Sequence, residues 1–234
     1  MTIAPANPTR PIHSALLNKL NALQTFTSPW RVMFIAAVFA IPALLGGYIQ
    51  DDNYFILRYF FPAQTNQISI PSLSPYGMFT LSDGSAEQVQ QLVNSALAPW
   101  WIDPHFKFSL FRPLAEWSHA LDFWLWPRET LLVHLHSLVW FLALVYGATR
   151  FFQLTLGNTP VAGLAALLFA LDSNLGWVNG WIASRNTLMC LALGVNAINL
   201  FIAALGGNRI KLAGGLALFS AALFSGEFAL SSYA

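Results

Sequence analysis

Five apolar runs divide the chain: Val32 to Tyr48, Leu131 to Phe151, Pro160 to about Trp177, Trp181 to Ala204, and Lys211 to Ala234. The second and fourth are long enough to cross roughly 30 Å of hydrocarbon as helices. The third opens on Thr159-Pro160, the cap-then-proline signature of a helix start. The pattern predicts an all-α, multi-pass transmembrane bundle of about five spans. The fifth run reaches the last residue with no polar tail, as expected of an incomplete domain from a truncated gene product.

Polar stretches set the organisation between these runs. Residues 1–30 read as a cytoplasmic tail, with Leu16, Leu17, Leu20 and Leu23 at helical spacing in a short amphipathic helix over Ser14 to Leu23. A signal peptide would need a shorter charged region and a small-residue cleavage site before Asp51. Val32 to Tyr48 is therefore expected to be retained, opening a membrane domain over 31–234. Residues 51–128 form the one long non-spanning segment. Within it Ser85 to Ala96 predicts an amphipathic helix with Glu87 near its N-terminus, where the helix dipole favours an acid. Pro113 to Trp126 predicts another, with Leu114, Trp117, Leu121 and Trp124 on one apolar stripe. Both are expected to lie in the membrane interface.

Composition supports the bilayer: 56% of residues are hydrophobic and 9% charged, against about 25% charged in soluble domains. The net charge of +1 gives no support to a nucleic-acid partner, and none is expected. Placing 1–31, 150–159 and 205–211 in the cytoplasm puts six of the eleven basic residues there (Arg10, Lys19, Arg31, Arg150, Arg209, Lys211) and none of the ten acids. Seven of the nine tryptophans fall on the other side. A positive inside and an aromatic outer belt follow, so 51–128 is expected outside, as in a bacterial inner-membrane protein with its N-terminus in the cytoplasm. The lone Cys190 frames no disulfide.

Ionisable residues at membrane depth mark sites or partners. Arg185 sits near the outer start of the fourth run, and Glu227 and Asp172 fall at a comparable level. An ion pair of Arg185 with Glu227 or Asp172 is expected, or an outward polar cavity that includes Glu227, Asp172 and His134. His134 and His136 lie two apart on one helix, on different faces, and neither has a second ligand at helical spacing; no metal site is predicted.

Several short motifs, taken in order, resemble the GT-C superfamily of membrane glycosyltransferases. Asp51-Asp52-Asn53-Tyr54 is similar to the acidic start of that family's first outer loop. Phe111-Arg112-Pro113-Leu114, then Asp122, then His134-Leu135, resembles the Arg-Pro, Asp and His-Leu series that ends the loop. Trp181-Ile182-Ala183-Ser184-Arg185 resembles its Trp-Ile-x-x-Arg helix start, and Ser225-Gly226-Glu227 its Ser-Lys-Glu. The closest likeness is to the N-terminal part of TPR-bearing protein O-mannosyltransferases and their bacterial relatives. The chain departs at Asp172-Ser173, where the family carries His-Pro, and at Gly226, where it carries Lys. The resemblance implies transfer of a sugar from a polyprenyl-phosphate donor to an acceptor hydroxyl on the outer face.

Such a transfer needs a base for the attacking hydroxyl and cations for the departing phosphate. Asp52 or Asp51 is the expected base, with Asp52 preferred because Asn53-Tyr54-Phe55 can pack and hold it. Arg112, Arg185 and Lys107 are the expected phosphate partners. The partners implied are membrane lipid and the lipid-phosphate sugar. No cofactor is required beyond that donor, and a divalent metal is compatible with the chemistry. The rival class is a non-catalytic scaffold or transporter subunit, although no internal repeat of the transporter kind is visible.

Overall fold

A computed structural model describes residues 28–49, 51–60 and 77–232. The N-terminal amphipathic helix predicted over 14–23 lies outside them. The described residues are mostly helical. A small antiparallel pair, β1 (Thr80–Asp83) and β2 (Lys107–Ser109), interrupts the all-α expectation within the 51–128 segment.

The first apolar run is not one continuous helix. α1 (Pro29–Phe39) opens on Pro29 at its first position, and α2 (Ile41–Leu44) follows after Ala40. Pro42 explains the break: it has no N–H to donate, and its ring crowds the carbonyl one turn back. α1 is apolar but too short to cross alone. Two helices are long and apolar enough: α6 (Thr130–Leu156), and the run Ile182–Ala204, a 3-10 turn (Ile182–Ser184) leading into α9 (Arg185–Ala204). A third candidate is the bent pair α7 (Pro160–Ala170) and α8 (Ser173–Gly180), which meet at 44°. Thr159 caps α7 as its sequence predicts, its hydroxyl accepting from the Ala162 N–H. The last run forms α10 (Arg209–Ser225) and then turns at Gly226 into a 3-10 stretch, Glu227–Ser232, instead of continuing to the C-terminus. Two or three candidate spans are thus present among the described residues.

α6 and α9 form the centre. Val145, Phe141 and Leu144 of α6 and Leu188 and Ala192 of α9 pack with Val32 and Ala36 of α1 and Ala166 and Ala170 of α7. Small residues and amides let α6 and α9 approach closely, as membrane helices do. Asn199 donates to the Gly147 carbonyl at 2.8 Å, and Asn196 donates to the Ala143 carbonyl at 3.2 Å. The outward surface stays apolar, with Phe34, Val161 and Leu168 exposed.

The remaining elements gather at the end where α9 begins. α3 (Asp51–Phe60), α5 (Pro113–Leu125) and the residues just before β1 form a second core, where Phe55, Met78, Phe79, Ala115 and Phe123 pack on Ala183 and Met189, while α4 (Ala86–Asn94) lies against β1. α4 has the predicted start: Ser85 Oγ accepts from the Gln88 N–H, and Glu87 lies in the first turn. α5 matches its predicted range to within one residue. Its stripe of Trp117, Leu121 and Trp124 is exposed, whereas Ser118, His119 and Asp122 face inward.

The α6–α9 contact offers a test. A Cβ at Gly147 would lie 2.5 Å from Val195 Cγ1 and 2.6 Å from an Asn196 amide already held by two carbonyls. Gly147→Leu should cost about 1–3 kcal/mol through overpacking. Gly176→Ala, in open space within α8, should be neutral or stabilise by up to about 1 kcal/mol. Thermal unfolding in detergent compares the two, and equal midpoints would dismiss close approach as a constraint.

Candidate functional site

The site grows from the turn that starts α9. Before that helix the chain needs acceptors for its free N–H groups. Asp52 supplies one from 131 residues away: its Oδ1 accepts from the Ala183 N–H at 2.6 Å. Its Oδ2 accepts from the Ile49 N–H at 3.0 Å, closing a turn ahead of α3. Asp52 is 1% exposed. Burial lifts its carboxyl above the usual range, and the backbone donors offset part of that rise. Asp51, one residue earlier, is exposed in the first turn of α3. Adjacent carboxylates therefore have opposite surroundings.

Arg185 begins α9 fully buried. Its guanidinium forms an ion pair with Asp122, also fully buried. It donates further to Ser137 Oγ at 3.0 Å, Ser118 Oγ at 3.3 Å and the Val133 carbonyl at 2.9 Å. The other Asp122 oxygen accepts from His136 Nδ1 at 2.6 Å, and Trp140 Nε1–H donates to His136 Nε2 at 3.2 Å. Arg185 Nη1 also lies 3.3 Å from His136 Nδ1, so the imidazole joins the same network. One guanidinium thus locks α5, α6 and α9 together. Isolated charges at this depth are untenable without such partners.

The expected ion pairs of Arg185 with Glu227 or Asp172 are corrected here. Asp172 is exposed and caps α8, its side chain accepting from the Asn174 N–H at 2.7 Å, so it belongs to a helix end rather than a cavity. Glu227 pairs instead with Arg112, whose Nε–H donates to Oε2 at 2.9 Å while its Nη2 meets Oε1. Arg112 precedes Pro113 and lies outside the helical region, at φ −129° and ψ 56°, in keeping with the bias that a proline imposes on the residue before it. Its guanidinium carbon lies 5.0 Å from the Phe79 ring centre and 5.7 Å from that of Phe228. Lys107 lies on exposed β2 in register with Asp83, and is in neither ion pair.

Both histidines of α6 are placed on different faces. His134 is buried against the backbone at Gly46, while His136 turns to Asp122. His119, on α5, is fully buried beside the rings of Phe55 and Phe79, at 5.3 and 6.2 Å. Burial and the nearby Arg185 charge hold it well below the ordinary histidine range, so it is neutral. No group of three or more metal-capable side chains occurs among the described residues.

Three contributors escaped the sequence reading. In the sequence Asp122 stands out only as a motif element, because the apolar stripe of α5 marks the opposite face. Glu116 is buried on α5, its carboxylate accepting from the Gly77 N–H at 2.8 Å and pinning the β pair. Asn186 follows Arg185; in the amide orientation that satisfies its neighbours, its oxygen accepts from Arg112 Nη1 at 3.1 Å. The available signal was Ser118, His119 and Asp122 together on one face of a tryptophan-rich helix. Comparison with family models, curated proteins and solved structures finds no match for this chain.

Two networks result, and they differ in access. The Arg185–Asp122 pair is sealed, whereas the Glu227 side chain is half exposed. Removing one partner of a sealed pair leaves a buried charge, at a cost of about 3–5 kcal/mol. Asp122→Ala should lower the unfolding midpoint strongly, and Arg185→Met added to it should recover part of the loss. Strict additivity of the two single changes would show that they do not interact.

Proposed function

We propose that the chain is part of a membrane glycosyltransferase that moves a sugar from a polyprenyl phosphate to an acceptor hydroxyl. The observation that carries the reading is convergence. Asp52, Arg112 with Asp122, Ile182 to Arg185, and Glu227 come from four distant motifs that resemble one family, and they meet through direct contacts at one end of the bundle. In this reading 32–48 and 211–234 count as passes as well, giving five, with 51–128 on the outer face of a bacterial inner membrane.

The exposure difference reverses the order of the two acids. Asp51 has the access that a base for a watery hydroxyl requires. Asp52 holds the start of α9 in place beside it. Asp51 takes the hydroxyl proton, the freed oxygen attacks the anomeric carbon, and the bond from that carbon to the lipid phosphate oxygen breaks. Arg112 receives the phosphate's charge, with Lys107 as a second cation on the loop. Arg185 acts as a positioning residue. A non-catalytic scaffold or transporter subunit is the second reading, and the complete internal pairing of Arg185 favours it.

Membranes carrying the protein, supplied with labelled polyprenyl-phosphate sugar, decide between them. Asp51→Asn should slow transfer about 10²–10⁴-fold with an unchanged unfolding midpoint. Asp52→Ala should lower that midpoint by the equivalent of about 1–3 kcal/mol, since it strands two backbone N–H groups. Full transfer by the Asp51→Asn/Asp52→Asn double variant would remove the base from this segment. Topology is checked by cysteine labelling from outside: Gln90→Cys should react and Asn208→Cys should not, both positions being exposed.

A further inference from the structure

The Arg112–Glu227 pair has a geometry that suits exchange. Glu227 covers the Nε and Nη2 edge of the guanidinium with both carboxylate oxygens. That fork is the one a phosphate uses, with the same two parallel donors. Arg112 does not depend on Glu227 for its position. Its Nη1 is held by Asn186, and its face rests on Phe79, both outside the Glu227–Ser232 turn. Arg112 is itself buried while the Glu227 side chain is half exposed, so the acid is the partner that can leave.

The surroundings indicate what replaces it. Phe111, next to Arg112, is exposed and meets the exposed Phe224 edge to face at 6.3 Å, near the end of α10. An exposed aromatic rim beside a buried cation fits an anion attached to an apolar chain better than a free ion. We propose that Glu227 is a built-in stand-in for the phosphate of a lipid phosphate: it occupies the Arg112 fork when no lipid is bound and yields it when the lipid's phosphate arrives, with the chain along Phe111 and Phe224. The proposal rests on the transferase reading for its purpose, but its binding test needs neither sugar nor acceptor.

Three probes separate the contributions: a long-chain polyprenyl monophosphate, the uncharged polyprenol, and inorganic phosphate, each measured by equilibrium binding to the protein in lipid nanodiscs. Glu227→Gln removes the competing charge and should tighten polyprenyl monophosphate binding about three- to tenfold. Arg112→Gln should weaken it at least about tenfold, and polyprenol binding should respond to neither change. Phe111→Ala should weaken both lipids and leave inorganic phosphate unaffected. Glu227→Asp, which keeps the charge on a shorter arm, should fall between wild type and Gln, and serves if the Gln variant fails to fold. Unchanged or weaker lipid-phosphate binding in both Glu227 variants would overturn the proposal. Inorganic phosphate displacing the lipid at comparable concentration would overturn its lipid specificity. Tightened binding without any glycosyl transfer would sink the transferase reading alone; normal transfer without tightening would sink only the stand-in.

Discussion

The charge on Arg185 constrains everything around it. A guanidinium cannot be deprotonated to escape burial, so a fully buried one must be surrounded by acceptors. Asp122 supplies the countercharge and Ser118, Ser137 and Val133 the remaining acceptors. Those groups come from α5 and α6, and the position of α9 relative to both follows from satisfying them. Asp52 then fixes the turn that aims Arg185 inward. The 51–128 segment is consequently not a separate unit laid on the bundle, because α5 completes the coordination of a charge that belongs to a candidate span.

This arrangement inverts the usual amphipathic rule. In water, α5 would bury its tryptophans and expose Ser118 and Asp122. Here the tryptophans face outward and the polar face is the core. Against hydrocarbon or an interface an exposed indole costs little, while an inward Asp gains a partner worth several kcal/mol relative to leaving Arg185 alone. The second ion pair, Arg112–Glu227, is built on a different balance. Aromatic faces and one amide hold its cation, and its anion remains within reach of water.

What was legible in the sequence followed from local signals. Thr159-Pro160 and Ser85 marked helix starts because caps act within three residues. The helices of 113–125 and 185–204 were visible because their patterns are long and periodic. Pro42 in the first run and Gly226 in the last were available as breaks, but hydropathy averaged over a window conceals a single residue. Ion-pair partners were the least legible. Depth along a span suggested Glu227 for Arg185, yet pairing depends on helix rotation as well as depth, and rotation was set by the inward face of α5. The difference in burial between Asp51 and Asp52 rests on a contact with Ala183 that no local pattern encodes.

The Arg185 coordination also bears on how the chain assembles. Ser118, Asp122, Val133 and Ser137 all precede Arg185 in the sequence. When a ribosome delivers the arginine, its acceptors have already been made, and the span it begins can dock against a waiting socket. Had the order been reversed, the cationic helix would have had to wait for its counterion to be translated. The direction of synthesis thus spares the assembling core an unpaired charge.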